Sequence, residues 1–338
     1  MTKIGFITKS ISDGNAIRGV GFYAKRLLPM LKAQCSKLNI EIVEINNVHE
    51  LRTMNYELIH YPFFDLFRHT LPIFRKTKTV VTIHDVIPLE FPQIYKPGIR
   101  GFLNLQLQKL ALSRVEGVIT DSQASAKAIH KCLGIPGGKI KSIYLAADTM
   151  FRPKKVTKKY DLPEMFVLYV GDVNWNKNIP NLIQAAKLAK LPLVIVGKQA
   201  AEIEKMDLNH PELSHLSTNY ELITNYPIRL GFVPDEELVD IYNLASVYCQ
   251  ASFAEGFGLP VLEAMACGTQ VAISNTHSLS EIAGSAAEYF DPNNVSDISK
   301  ALQKAIDNKF NVAAQAKKFS WEKTATQTLE AYRDILGS

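Results

Sequence analysis

Val247-Tyr248-Cys249-Gln250-Ala251-Ser252-Phe253-Ala254-Glu255-Gly256-Phe257-Gly258-Leu259-Pro260-Val261-Leu262-Glu263-Ala264-Met265-Ala266-Cys267-Gly268 is the stretch that decides the fold. Its first four residues read as a buried strand. Gly256 and Gly258 then remove side chains where the backbone must turn sharply or approach a ligand. Pro260 suits the first position of a helix, where a missing N–H costs nothing, and Gly268 suits the cap at its end. The amides of Gly258 to Val261 would form a helix N-terminus ready for phosphate. Strand, glycine loop and helix in this order form the repeating unit of open parallel α/β sheets.

The same alternation runs outward in both directions. Strands are expected at 3–8, 40–45, 57–61, 79–84, 117–120 and 139–144, and again at 166–170, 193–196, 228–230, 247–250, 270–273 and 287–290. Helices are expected at 21–37, 98–114 and 122–133, then at 179–189, 235–244, 260–267, 295–308 and 321–335. Parallel neighbours need long return connections, so this pattern predicts an α/β protein with two doubly wound, Rossmann-like domains. The polar, basic stretch around Arg152, Lys154, Lys155, Lys158 and Lys159 separates them. The expected division is 1–150, a linker at 151–163, a second domain at 164–320 and a closing helix at 321–338. Two such domains would line a cleft with the carboxyl ends of their strands, where ligands of this fold class bind. An oxidoreductase, a solute-binding protein or a sugar transferase would all fit that architecture, so function has to come from the site.

Composition narrows the choice. The chain has 338 residues, 47% hydrophobic and 21% charged, which excludes disorder and collagen-like structure. No apolar run approaches the ~20 residues of a membrane span, and the first residues read as a short strand rather than a signal peptide. Cys35, Cys132, Cys249 and Cys267 form no CxxC pair and read as reduced thiols of a cytoplasmic protein, with no metal or disulfide framework. Residues 1–150 carry 20 basic and 11 acidic side chains, the remainder 18 and 22. The basic half suggests an anionic partner there, against the plainer alternative of an unevenly solvated surface.

Glu255 and Glu263 bracket the glycine loop. A carboxylate on such a loop accepts hydrogen bonds from sugar hydroxyls, and one in the first helical turn takes the two hydroxyls of a ribose. Each alone is more readily a solvated loop residue, in the case of Glu255, or a complement to the helix dipole, in that of Glu263. Gly-Phe-Gly, a helix-starting proline and two glutamates in one segment point instead to a ligand.

That segment resembles the E-x7-E motif of family 4 retaining glycosyltransferases of the GT-B fold, and the resemblance extends over nearly the whole chain. Residues 228–244 resemble the family's strand–loop–helix beside the nucleotide base, with Val233 on the loop. Gly171-Asp172-Val173-Asn174-Trp175-Asn176-Lys177-Asn178 stands where the family has a glycine turn followed by Arg-Lys-Asn. His84-Asp85 is similar to the His-Asp that ends a strand of the acceptor domain, Arg18-Gly19-Val20-Gly21 to the first glycine loop, and Phe319-Ser320-Trp321-Glu322 to the start of a helix that crosses back onto the first domain.

The resemblance implies a role for each. Glu255 would hold donor-sugar hydroxyls, and Gly256, Phe257, Gly258 and Leu259 would meet sugar and diphosphate. Glu263 would bind ribose, Val233 would line the base site, and Gly19 would let backbone approach the diphosphate. Lys177 would neutralise the departing diphosphate, an electrostatic stabilisation of leaving-group charge. His84 would hydrogen-bond the sugar near its reacting carbon. The chain departs from the family at 171–178, where Asp172 and Asn176 stand in a region that usually carries an arginine. Either Arg18 supplies the second cation or that charge is missing and the rate modest.

No D-x-D occurs, so no diphosphate–metal clamp is expected: the donor is a substrate and no cofactor is required. No G-x-S-x-G elbow is present, consistent with a reaction that needs no enzyme nucleophile. Retention of configuration follows from the resemblance alone. GDP-mannose is the first candidate donor, from the resemblance of residues 84–92 to mannosyl-transferring relatives, with UDP-hexoses next. The acceptor would be a saccharide or lipid-linked saccharide. Aromatic and basic residues at 63–78 suggest peripheral contact with an anionic membrane, against the alternative of core packing with a basic edge. Nucleic-acid binding is not expected, because no helix has a dense basic face. A nicotinamide oxidoreductase fails at Ala24, where G-x-G-x-x-G needs its third glycine. A nucleotide- or sugar-binding protein without turnover, derived from a transferase, stays open.

Overall fold

The computed structural model describes residues 1–8, 19–35, 38–46, 55–157 and 161–337, with 19 and 20 as backbone only. The chain divides into two compact units. One comprises Met1–Pro92, Lys96–Leu145 and Phe319–Ser338, the other Gln93–Tyr95 and Ala146–Lys318.

In the first unit, strands β1 (Thr2–Ile7), β2 (Ile40–Ile45), β3 (Leu58–Tyr61), β4 (Lys78–Thr82), β5 (Gly117–Thr120) and β6 (Ile140–Ser142) form a six-stranded sheet in the order β2-β1-β3-β4-β5-β6. Every pairing is parallel. The crossovers of two turns or more are α1 (Gly19–Cys35), α2 (Gly98–Leu112) and α3 (Gln123–Leu133). Strands β3 and β5 are buried along their whole length, as expected of strands covered by helices on both faces. Ser122 caps α3 by accepting from the Ser125 N–H at 3.0 Å, and Gly134 ends the helix in the left-handed region.

The second unit repeats the plan with β7 (Val167–Val170), β8 (Leu193–Val196), β9 (Ile228–Gly231), β10 (Val247–Gln250), β11 (Val271–Ser274) and β12 (Glu288–Phe290). They lie in the order β12-β11-β10-β7-β8-β9, again all parallel. The longer helices here are α4 (Ile179–Ala189), α5 (Asp235–Leu244), α6 (Leu259–Ala266) and α7 (Val295–Asp307). Residues 151–154 pack on α5: Phe151 meets Tyr242 edge-on at 5.7 Å, and Lys154 pairs with Asp240 at 2.5 Å.

The last helix, α8 (Trp321–Leu336), belongs to the first unit. Ser320 caps it, Gln34 of α1 donates to the Glu322 carbonyl at 2.9 Å, and Thr324 donates to the Tyr144 carbonyl at 2.7 Å. Deeper in, Tyr332 OH lies 2.6 Å from His60 Nδ1, while His60 Nε2 lies 2.8 Å from Thr82 Oγ1. Burial drives the His60 pKa down to about 3, so the ring is neutral, one nitrogen donating and the other accepting.

The alternation and the parallel sheets are as the sequence predicts; several local expectations are corrected. The strand expected at 79–84 ends at Thr82, which places His84 on the turn beyond it. The helix expected from 21 begins at Gly19 and carries Pro29 inside, so Gly19 opens a helix rather than lying within a loop. In the aromatic stretch at 63–78, Phe64, Leu66 and Leu71 are core residues and Phe74 stands 82% exposed, which favours the core-packing alternative for most of that segment. No helix among the described residues is long and apolar enough to cross a membrane.

Candidate active site

The second sheet runs outward in one direction from β7 through β8 to β9 and in the other from β10 through β11 to β12, so β7 and β10 flank its topological switch point. Open α/β sheets bind ligands beyond the carboxyl ends of such strands, because the connections diverge there to opposite faces. Residues 171–178 leave β7 and residues 251–258 leave β10, and hydrogen bonds lock the two segments together. Asn176 Nδ2 donates to the Ala254 carbonyl at 3.0 Å, and the Phe253 N–H to the Asn176 carbonyl at 2.8 Å. Asn178, at φ +56°, donates to the Ala251 carbonyl at 3.0 Å and the Pro292 carbonyl at 2.7 Å. The rings of Trp175 and Phe253 stack at 4.9 Å. Asn176, which stands in the arginine region of relatives, is thus part of the clasp: its amide oxygen accepts from Tyr95 at 3.0 Å.

This clasp brings Lys177 and Glu255 together across 78 residues of sequence. Lys177 Nζ lies 2.8 Å from Glu255 Oε1 and 2.9 Å from Oε2. Gln250 Nε2 at 2.7 Å and Ser252 Oγ at 2.6 Å also donate to Oε1. Glu255 is only 8% exposed, so an unpaired carboxylate there would be costly; four donor contacts fix it as an oriented anion. Burial first, and the charge of Glu255 after it, push the Tyr169 phenol well above its ordinary range.

Immediately beyond, Ser278 Oγ lies 3.0 Å from the Glu255 carbonyl and 2.7 Å from that of Phe257, holding both. Gly258 stands at φ +110°, a conformation that favours glycine, and a Cβ there would come within 2.7 Å of Leu279 Cδ2, which would have to shift. Helix α6 starts at Leu259, one residue before the expected Pro260. The Val261 N–H turns back to the Gly258 carbonyl at 3.0 Å and Pro260 has none, so Gly258 and Leu259 supply the N–H groups left for an anion. Glu263 falls in the second helical turn, not the first as expected. Its Oε2 accepts from Tyr242 OH at 2.9 Å. Burial raises its pKa to about 7; the phenol pulls the other way, and Asp235 and Asp148 add to the rise. Val233 follows β9, at the edge of the sheet, between exposed Phe232 and α5.

In the first unit, His84 and Asp121 lie just beyond β4 and β5. His84 Nδ1 and Asp121 Oδ2 are 2.6 Å apart, and the Tyr23 ring meets the imidazole edge-on at 5.0 Å. Burial disfavours the charged ring. The charge and hydrogen bond of Asp121 outweigh it, with Asp85 and the Pro62 carbonyl adding, and hold the imidazole above its ordinary pKa. His84 Nε2 is buried and has no hydrogen-bond partner among the described residues. Asp121 thus orients the imidazole through Nδ1 and leaves Nε2 outside any conventional hydrogen bond among the described residues. Gly19 opens α1, and Arg18 lies outside the described residues.

Sequence reasoning missed Asp121, Gln250, Ser252, Tyr242 and Ser278. Asp121 had a signal: it ends a predicted strand and precedes a helix cap. The others sit inside strands, helices or loops with nothing to mark them.

Two family profiles match the chain: one described as Glycosyl transferases group 1 over residues 151–335, the other as Glycosyltransferase Family 4 over residues 26–151. Among curated relatives, the serotype-specific mannosyltransferase WbdA of Escherichia coli is 32% identical over 77% of this chain and 34% of its own length. The O-antigen chain mannosyltransferase B of Escherichia coli is 32% identical over 77% of this chain and 71% of its own. The chain thus spans about a third of the WbdA relatives it matches. Among solved structures, the sucrose-phosphate synthase of Thermosynechococcus elongatus superposes with a TM-score of 0.72 at 19% identity, covering 100% of both chains. Anabaena Alr3699/HepE, in complex with UDP-glucose, gives 0.68 at 18% identity over 99% of this chain and 100% of its own. These likenesses show the shared fold, the GT-B architecture expected from the sequence.

Proposed function

The chain belongs to the group 1, family 4 glycosyltransferases, and from that premise we propose that it moves a hexose from a nucleoside diphosphate sugar to a saccharide or lipid-linked saccharide acceptor, with retention at the anomeric carbon and without a metal ion. The observation that carries this reading is the Lys177–Glu255 pair at the switch point of the second sheet. An ammonium has three N–H donors, and Lys177 directs two toward Glu255; the third remains for a diphosphate oxygen. As the bond from the anomeric carbon to the phosphate oxygen breaks, its electron pair leaves with the diphosphate, and Lys177 with the Gly258 and Leu259 amides offsets that charge. The acceptor hydroxyl attacks from the face the nucleotide leaves and gives its proton to the departing phosphate oxygen. Glu255 holds sugar hydroxyls and Glu263 the ribose, with Val233 beside the base. His84, held by Asp121, presents Nε2 to a hydroxyl of the transferred sugar.

GDP-mannose is the first donor to test, since relatives at 32% identity carry the name mannosyltransferase; UDP-hexoses come next. The acceptor class rests on the O-antigen relatives alone. The free thiols suit work in a reducing cytoplasm.

Calorimetry and radiolabelled transfer with GDP-mannose and UDP-glucose test the reading. Glu255→Ala is expected to lower transfer by at least about a thousandfold while sparing most nucleotide affinity. Wild-type turnover by that variant would remove Glu255 from the site. Tight nucleotide binding by the wild type with no sugar release or transfer would favour the non-catalytic alternative, and loss of activity on chelation would refute metal independence.

A further inference from the structure

Gln93–Tyr95 lies in sequence between two stretches of the first unit yet belongs to the second. Pro92 precedes this short segment and Lys96-Pro97 follows it, so prolines restrict the backbone on both sides. Tyr95 is buried, and its hydroxyl donates to Asn176 Oδ1 at 3.0 Å. Asn176 is buried as well and uses both ends of its amide, since Nδ2 donates to the Ala254 carbonyl at 3.0 Å. A carbonyl only accepts, so turning that amide over would set two acceptors face to face. Asn176 stands directly before Lys177, and Ala254 directly before Glu255. The bond between them, with the Phe253 N–H donating to the Asn176 carbonyl at 2.8 Å, therefore fixes the backbone beside each member of the ion pair. Lys177 is the only cation in residues 171–178, so the placement of that one ammonium decides how much positive charge the turn offers.

We propose that Tyr95 is a positioning residue: through the Asn176 amide, its hydroxyl holds Lys177 and Glu255 at the separation in which they meet the donor. The inference rests on the donor site proposed above. Tyr95→Phe keeps the ring and removes only the bond to Asn176. Oδ1 is then a buried acceptor that has lost its donor, and the turn at Trp175–Lys177 opens more readily from the loop at 251–258. A tyrosine that merely stabilised the fold would change the melting temperature alone. A positioning tyrosine changes the ammonium it holds.

Lysine acetylation read by mass spectrometry tests the clasp without any nucleotide. In the wild type Lys177, held by both Glu255 oxygens and with 22% of its side chain exposed, is expected to react far more slowly than exposed lysines. Tyr95→Phe should raise the Lys177 rate roughly tenfold, the fold-change that accompanies one orphaned buried acceptor. Tyr226→Phe is the control: it removes a hydroxyl that donates to the Leu191 carbonyl at 2.7 Å in the same unit, and should leave the Lys177 rate unchanged. In transfer assays with GDP-mannose and UDP-glucose, Tyr95→Phe should lower kcat about tenfold while donor KM stays within about twofold. Tyr95→Phe combined with Asn176→Ala should be no slower than Asn176→Ala alone, because the two side chains act as one. A wild-type Lys177 rate in Tyr95→Phe, or an equal rise in Tyr226→Phe, would overturn the proposal, as would additive losses in the double variant. Should no form turn over a nucleotide sugar while the labelling difference stands, the positioning holds and the transferase reading fails.

Discussion

The ribose-binding role proposed for Glu263 and its burial make opposite demands on one side chain. Accepting from ribose hydroxyls is best done by a carboxylate, yet burial raises its pKa to about 7, against an ordinary 4.5. A carboxyl whose folded pKa lies above its unfolded one favours folding fully below the unfolded value, and that contribution is lost as pH rises through the folded value. Between about pH 4.5 and 7 the loss is on the order of 2–3 kcal/mol. Glu263→Gln should therefore melt above the wild type at pH 8, with the difference vanishing near pH 4, as thermal unfolding across that range would reveal. The same substitution should weaken donor binding about tenfold at pH 8. Wild-type affinity for GDP-mannose should fall as pH drops below 7, because the protonated carboxyl accepts poorly, and the glutamine variant should show a flat profile in calorimetry. The sequence marked Glu255 and Glu263 by their spacing around the glycine loop, and Lys177 by resemblance alone. Their partners could not be read from it: the Lys177–Glu255 pair spans 78 residues, and the His84–Asp121 pair 37. Periodicity reports which face a residue occupies, not which distant side chain it meets.

At the scale of elements, the start of α6 depends on Gly258 more than on any charged group. Its positive φ strains any residue with a side chain, and a methyl group would also displace the end of Leu279. Gly258→Ala should cost on the order of 1–3 kcal/mol, read as a lower urea midpoint. It should also lower kcat more than any substitution on the exposed surface of α4, because the amides proposed to meet the diphosphate would be displaced. The strand–loop–helix was legible because glycine and proline punctuate it. Helix α2 was legible as a helix but not in its orientation: an all-round apolar pattern predicts a buried helix, and only the packed sheet reveals which side lacks cover. Boundaries shifted by a residue or two where ladder pairing, rather than composition, decides the end, as at Thr82.

For each unit taken whole, the parallel sheets were the most legible feature, since alternating strands and crossover helices leave few other topologies. The return of the last helix to the first unit was expected from the resemblance of residues 319–322; what could not be read was which core side chains it would meet. Tyr332 of α8 supplies the partner of His60 Nδ1, 272 residues away. Tyr332→Phe would leave that nitrogen unpaired in a fully buried position, at a cost of about 1–3 kcal/mol, measurable as a shifted urea midpoint. The nucleotide site proposed for the second unit should keep its affinity in that variant, because no residue of the Lys177–Glu255 clasp is touched.

The membership of α8 in the first unit also sets a timetable. A ribosome releases the first sheet early, with His60 already placed between its strands, but must finish Ala146–Lys318 before the helix that seals that sheet exists. The unit begun first is therefore completed last, and throughout that interval the growing polypeptide carries an open apolar flank beside α1 for chaperones to guard.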